Sequence, residues 1–314
     1  MKYSPHIKTG VLFSKFIYWS LLIISIIVLS CKQKPTYKGP VFSELPVTTK
    51  LPFYHFSIHP LHNPAKLVEE YQPLMDYFNE RIEGVQFTVG TSRDYANFEE
   101  KYTNRKSEFI LPNPWQTLQA IDKGYNVIAT AGEPEDFKGI FIVHKDGNIK
   151  APIDLKGSDV SYPSPTALAA CIMPQYFLHT HGININNDIE NKYVGSQMSS
   201  IMNVYLKKTV AGATWPPPWR AFQKDYPKEA SELKVIWETG FLINNSVMAR
   251  DDVPIHIKEK VTQILINLHK TAQGKKILKD METNRFILAN NKSYDKVKNY
   301  IEKFEKEVRK IETK

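Results

Sequence analysis

The chain has 314 residues, 42% of them hydrophobic, which is enough for a large core and for more than one domain of ordinary size. Its formal charge of +8 comes from scattered lysines and arginines mixed with acidic residues, with no basic stripe and no nucleic-acid motif, so nothing points to DNA or RNA as a partner. Two cysteines, Cys31 and Cys171, cannot build a disulfide framework.

The first thirty residues read as an export signal. Lys2, Lys8 and Lys15 form a basic start, and residues 16–29 are apolar except for Ser20 and Ser25. That run suits a signal peptide better than a membrane span, which needs about 20 apolar residues. Val28-Leu29-Ser30-Cys31 is similar to a bacterial lipobox, which implies that Cys31 becomes the acylated N-terminus of a lipoprotein held on the periplasmic face of a membrane. Loss of residues 1–30, with Lys2, Lys8 and Lys15, takes the formal charge from +8 to +5. Residues 31–50 carry Pro35, Pro40 and Pro46 and few apolar anchors, the composition of a flexible linker.

Structure is expected from residue 51 onward. Residues 53–59 alternate as a strand that ends at His59-Pro60. Leu67, Tyr71, Leu74, Met75 and Phe78 then recur at helical spacing behind Pro64, and Gly84 closes that helix. Strands are expected at 85–89, 108–111, 127–131 and 139–144, with helices at 95–102 and 115–122 between them. A second run follows, with strands at 160–162, 193–194, 210–213, 234–237 and 241–249. Helices are expected from Thr166, with a kink or restart at Pro174, and over 198–206. Residues 216–219, Pro-Pro-Pro-Trp, read as a stiff segment. From Pro254 to the end the pattern is helical. Repeated β–loop–α units imply α/β architecture with mainly parallel sheets, and ligands in such sheets collect at the loops after the strands.

One of those loops stands out. Residues 159–174, DVSYPSPTALAACIMP, give a short strand, a turn carrying hydroxyls, and a helix start. The first N–H groups of a helix lack internal partners and carry partial positive charge, so such a corner can hold an anion without lysine or arginine. Ser164 or Thr166 either caps that helix or aims its hydroxyl at a ligand. Cys171 falls in the apolar run behind and reads as a small buried residue without a nearby base.

The order His59-Pro60, Asn63-Pro64, Leu67, Tyr71, Leu74, then Tyr95 with Phe98-Glu99, then Asp154-Leu155-Lys156-Gly157, Met173-Pro174 and Val194-Gly195-Ser196 resembles the phosphate/phosphite/phosphonate-binding proteins of ABC importers, which are type II periplasmic binding proteins. The resemblance covers most of residues 51–290. It implies a two-lobe fold with a two-crossing hinge. Each lobe is a mainly parallel sheet flanked by helices, lobe 1 being 51–143 plus 238–314 and lobe 2 being 144–237. It also implies a small oxyanion held in the cleft, an ABC permease as partner, a monomer, and hinge closure. In that family the second-lobe loop reads Ser-Thr-Ser followed by Gly. Here Ser164-Pro165-Thr166-Ala167 keeps two hydroxyls, with proline at the second position and alanine at the fourth.

The expected ligand-binding residues are His59, Tyr95, Trp115, Ser164, Thr166, Ala167, Ser196, Thr214 and Trp215. Trp215 is held rigid beside three prolines and suits the wall of a concave site. Trp115 has lobe core, and Ser196 a helix cap, as its plainer role. His55, His59 and His62 lack a carboxylate or cysteine to complete a ligand set, so no metal, no cofactor and no catalytic residue is expected. Two other roles fit the same fold. One is a ligand-sensing lipoprotein docked to a membrane receptor or kinase. The other is a metal-dependent enzyme resting on the three histidines.

Overall fold

The computed structural model describes residues 51–312. The signal peptide, the lipidation site Cys31 and the linker expected at residues 31–50 lie outside the described residues. No helix among the described residues is long and apolar enough to cross a membrane.

The first half begins with β1 (Phe53–Ile58), α1 (Pro64–Asn79), β2 (Gln86–Gly90), α2 (Tyr95–Thr103), β3 (Phe109–Leu111), α3 (Pro114–Ile121) and β4 (Tyr125–Ala131). The local sequence sets these helix starts. Asn63 accepts a hydrogen bond from the Lys66 N–H at 3.0 Å and Pro64 occupies the first turn, where its missing N–H costs nothing. Asp94 caps α2 through the Asn97 N–H. Asn113 and Gln116 cap α3 reciprocally, each side chain taking the other's backbone N–H at 3.1 Å. The helical stripe of α1 buries Leu67, Tyr71, Leu74, Met75 and Phe78 as its spacing requires.

After a short turn come β5 (Lys138–His144), β6 (Ser158–Tyr162), a π-type turn at Leu168–Ile172, α4 (Met173–Thr180), β7 (Ile189–Tyr193), α5 (Gln197–Tyr205), β8 (Ala211–Thr214), α6 (Pro216–Asp225), α7 (Pro227–Ser231) and β9 (Leu233–Phe241). The chain then returns through β10 (Ser246–Arg250), α8 (Ile255–Asn267), α9 (Ala272–Asp280), β11 (Phe286–Leu288) and α10 (Asp295–Glu307).

The strands form two sheets, in the orders β11-β4-β10-β3-β1-β2 and β7-β6-β8-β5-β9. β1 is parallel to β2 and β3, and β6 is parallel to β7 and β8. The returning strand β10 runs antiparallel between β3 and β4, while β5 runs antiparallel to both β8 and β9. Each sheet thus mixes a parallel core with antiparallel strands where the chain enters or returns.

The strand membership corrects the expected crossings. Residues 138–144 pair with β8 and β9, so β5 belongs to the second sheet, and β9 stays in that sheet as far as Phe241. The chain passes between sheets at 132–137 and 242–245, not at 143–144 and 237–238 where the expected lobe bounds put the crossings. β5 is almost wholly buried, and only its pairing partners decide which sheet it joins. Three further departures are local. The Pro-Pro-Pro segment is the first turn of α6, because a helix start needs no N–H there. β11 interrupts the expected helical tail by pairing with β4. The segment beyond α10 lies against the second half of the molecule: Arg309 donates to Gln175 Oε1 at 2.8 Å and to the Pro165 carbonyl at 3.0 Å.

Gly139 in β5 faces the π-type turn so closely that a Cβ there would meet the Ala169 carbonyl oxygen at 2.5 Å and Pro174 Cγ at 2.7 Å. This contact seats the turn on the second sheet. The helix does restart near Pro174, changing from the wide π turn to α4 at Met173.

Candidate functional site

The loops after β1, β3, β6 and β8 meet between the two sheets. They enclose a small cavity lined by His59, Tyr95, Asn113, Phe137, residues 167–170, Gln197, Trp215 and Asn245. Its free space is about 10 Å³, room for no more than a water molecule. A second small cavity shares Trp215 and Asn245 and reaches His62, Glu70, Asp136 and Thr283. Neither cavity has a lysine or arginine in its wall.

The β6 loop differs from expectation. Helical turns begin at Leu168, with Ala167 in the N-cap position and no side chain capping it. Ser164 and Thr166 precede that start, so neither caps it. Ser164 Oγ lies 3.0 Å from Thr166 Oγ1, and Thr166 Oγ1 donates to Glu99 Oε1 at 2.6 Å. Glu99, on α2, also accepts from Gln116 Nε2 at 3.1 Å. Burial pushes its carboxyl above the usual range, and the hydrogen bonds from Thr166 and Gln116 oppose that rise. Asn113 adds a second tie across the sheets by donating to the Thr166 carbonyl at 3.1 Å. Thr166→Val leaves Glu99 one donor short. It is expected to lower stability by about 1–3 kcal/mol in urea denaturation, with Thr166→Ser largely restoring it.

His59 is buried, and burial pulls its pKa down to about 4, so the ring is neutral at ordinary pH. Its Nδ1 lies 2.8 Å from the Leu111 carbonyl, which can only accept; Nδ1 therefore carries the proton. Tyr95 is buried beside it, with ring centroids 6.2 Å apart. The Tyr95 hydroxyl accepts from Gln197 Nε2 at 3.0 Å, and Gln197 Oε1 accepts from Thr214 Oγ1 at 2.8 Å. Burial raises the Tyr95 phenol well above its ordinary range, so it stays a neutral donor. The Trp215 indole packs on Phe137 with centroids 5.5 Å apart.

Of the nine expected residues, His59, Tyr95, Ala167 and Trp215 line the cavity. Thr214, Thr166 and Ser164 stand behind it through Gln197 and Glu99. Trp115 is buried in the core on α3, and Ser196 caps α5 by accepting from the Ser199 N–H. The histidine trio disperses: His55 lies beside Glu108, His59 faces the cavity, and His62 lies 3.5 Å from Glu70. Among the described residues no group of three or more His, Cys, Asp or Glu is placed to hold a metal ion. Cys171 is buried, its thiol pushed up to about 12.

Four residues of the region were missed: Glu99, Asn113, Gln197 and Asn245. Asn245 is buried, lines both cavities, and its Oδ1 has no hydrogen-bond partner.

The family model for the ABC transporter, phosphonate, periplasmic substrate-binding protein matches residues 56–294. The chain belongs to this family. Its members are binding components of transporters and not enzymes, which removes the metal-dependent enzyme as a reading. Among curated relatives, the probable ABC transporter phosphite binding protein PhnD1 of Prochlorococcus marinus is 29% identical over 54% of this chain and 62% of its own length. The phosphonates-binding periplasmic protein of Escherichia coli is 19% identical over 71% of this chain and 68% of its own. Among solved structures, Prochlorococcus marinus PhnD1 in complex with methylphosphonate superposes with a TM-score of 0.73 at 21% identity, covering 81% of this chain and 98% of that one. A Pseudomonas aeruginosa binding protein component of an ABC phosphonate transporter gives 0.73 at 17% identity, covering 80% and 85%. These likenesses establish the type II periplasmic binding fold.

Proposed function

We propose that this chain is the solute-capturing subunit of an ABC importer and takes a small oxyanion of phosphonate or phosphate type between its two lobes. The observation that carries the reading is the cavity itself. The Leu168 turn enters it from the second sheet, and His59, Tyr95 and Asn245 enter it from the first. The N–H groups of Leu168, Ala169 and Ala170 open a helix without a side-chain cap, so they are suited to anionic oxygens. The Tyr95 hydroxyl proton and the Asn245 amide supply further neutral donors. Ser164 and Thr166 serve by orienting Glu99 and the turn, and Ala167 lines the wall.

The cavity is too small for any such solute, so entry requires the lobes to part at 132–137 and 242–245. Arg220 on α6, 3.0 Å from Glu282 Oε2 after α9, and Lys66 on α1, 3.7 Å from Asp225 on α6, tie the two halves at the rim. Isothermal titration with methylphosphonate, phosphite, phosphate and methanesulfonate tests the reading. Saturable heat with a phosphorus oxyanion supports it, and silence with all four removes the oxyanion class. The same proposal places the mature chain on a membrane through a lipid on Cys31, as a monomer delivering to a permease. Cys31→Ser is expected to move the protein from the membrane to the soluble fraction of expressing cells; retention in the membrane would count against lipidation.

A further inference from the structure

The groups that face the cavity include acceptors as well as donors. His59 lines the cavity and gives its Nδ1 proton to the Leu111 carbonyl, which leaves Nε2 as an acceptor with no hydrogen bond among the described residues. Asn245 Oδ1 is a second buried acceptor without a partner. Behind the turn, the Glu99 carboxylate is reached by neutral donors only. No lysine or arginine lines the cavity to offset a second negative charge. An oxyanion without a proton offers acceptors alone. Placed here it would leave both acceptors unpaired, and a phosphonate dianion would also bring a second charge toward the Glu99 carboxyl behind the turn.

We propose that the cleft selects the monobasic form of its phosphonate-type ligand, whose P–OH donates to His59 Nε2 while the remaining oxygens accept from the turn and from Tyr95. This rests on the oxyanion reading above and adds the protonation state. The site then discriminates by proton: a monobasic phosphonate fits, while its dianion and a sulfonate of the same shape do not. The titratable and charged groups around the cavity are His59 and His62 after β1, Tyr95 and Glu99 on α2, and Cys171 in the turn with Arg309 3.6 Å from its Sγ, together with Glu70, Tyr71, Asp136 and Glu282 in the adjoining cavity. Any of them could impose a pH dependence of its own, so the test moves the ligand's ionisation and not the protein's.

The experiment is calorimetric titration of the intact protein from about pH 5.5 to about pH 9, with methylphosphonate and with the more acidic difluoromethylphosphonate. The expected result is affinity that falls about tenfold per pH unit above each ligand's own second ionisation. The break should come at lower pH for the fluorinated ligand, and methanesulfonate should bind at no pH. A break at one pH for both ligands, flat affinity, or tight methanesulfonate binding would overturn the proposal and leave the oxyanion reading intact. Failure of both phosphonates at every pH would instead remove the reading on which it rests. His59→Phe is expected to weaken binding and to flatten the pH profile. The ligand arms decide the matter without it if that variant does not fold.

Discussion

Trp215→Ala is expected to abolish measurable methylphosphonate binding and to cost about 3–5 kcal/mol of stability, the range for deleting a buried large aromatic. Trp215 stands at the end of β8, where the strand gives way to α6. Its own backbone is extended, and Pro216 locks the next residue into the first helical turn. That geometry holds the indole against Phe137, at one of the two crossings between sheets. The ring lines both cavities, so its loss merges them and frees the crossing to shift. Stability alone would not separate site from core. Trp219→Ala serves as the control, because Trp219 packs on Phe222 in a separate cluster of the second lobe and lines neither cavity. Urea denaturation should show a comparable loss for both variants, while titration should show binding lost only in Trp215→Ala. Equal binding in the two would place the indole outside the site.

The contrast between Trp215 and Glu99 shows what a sequence can disclose about such a site. Trp215 is legible because its own neighbours restrain it: three prolines follow, and a strand of small residues precedes. The helix starts at Asn63, Asp94 and Asn113 are legible for the same reason, since a cap and its partner lie three residues apart. Glu99 is not. Glu99 lies in an ordinary helical run, and only Gln116 and Thr166, 17 and 67 residues away, make it a buried acceptor. Asn244-Asn245 falls inside the strand expected over 241–249, and nothing local says that Asn245 Oδ1 is left without a partner. The β6 loop shows the limit at the scale of two residues. Its hydroxyls mark the loop, but helical turns open at Leu168 and not Thr166, so the residues of the turn that line the cavity belong to an apolar run that carries no polar signal. Sheet membership failed for a related reason. β5 is a run of buried residues whose period fits either sheet, and the register with β8 and β9 is a tertiary fact.

Glu70→Gln is expected to stabilise the protein by about 2–4 kcal/mol at pH 8 and by little at pH 4. Glu70 lies on α1 at the wall of the second cavity, with its side chain almost wholly buried. Burial is the main cause that pushes its pKa from 4.5 up to about 8. Asp225, Glu69 and Glu282 add to the rise, and Lys66, 3.9 Å away, only partly opposes it. His62, 3.5 Å from Glu70 Oε2, is pulled down to about 4, again chiefly by burial. A pair at this distance could be ionic, but burial of both groups disfavours both charges, and we read it as neutral at mildly acidic pH. The sign follows from proton counting. The folded carboxyl holds its proton up to about pH 8, while the unfolded one releases it near 4.5, so this group's favourable contribution is complete below 4.5 and is lost as pH rises through 8. Glutamine has no proton to lose, so the advantage of the variant should open between those two values. His62 acts in the opposite sense: its neutral folded form costs stability as pH falls below 6.5 toward 4, in parent and variant alike. Subtracting the two stability curves therefore isolates Glu70. Urea unfolding of both proteins at half-unit steps of pH provides the curves. A difference that is flat, or one that favours the parent at high pH, would mean that Glu70 is ionised and paired with Lys66 or His62 in the folded protein. The wall of the second cavity would then be charged where neutrality is expected.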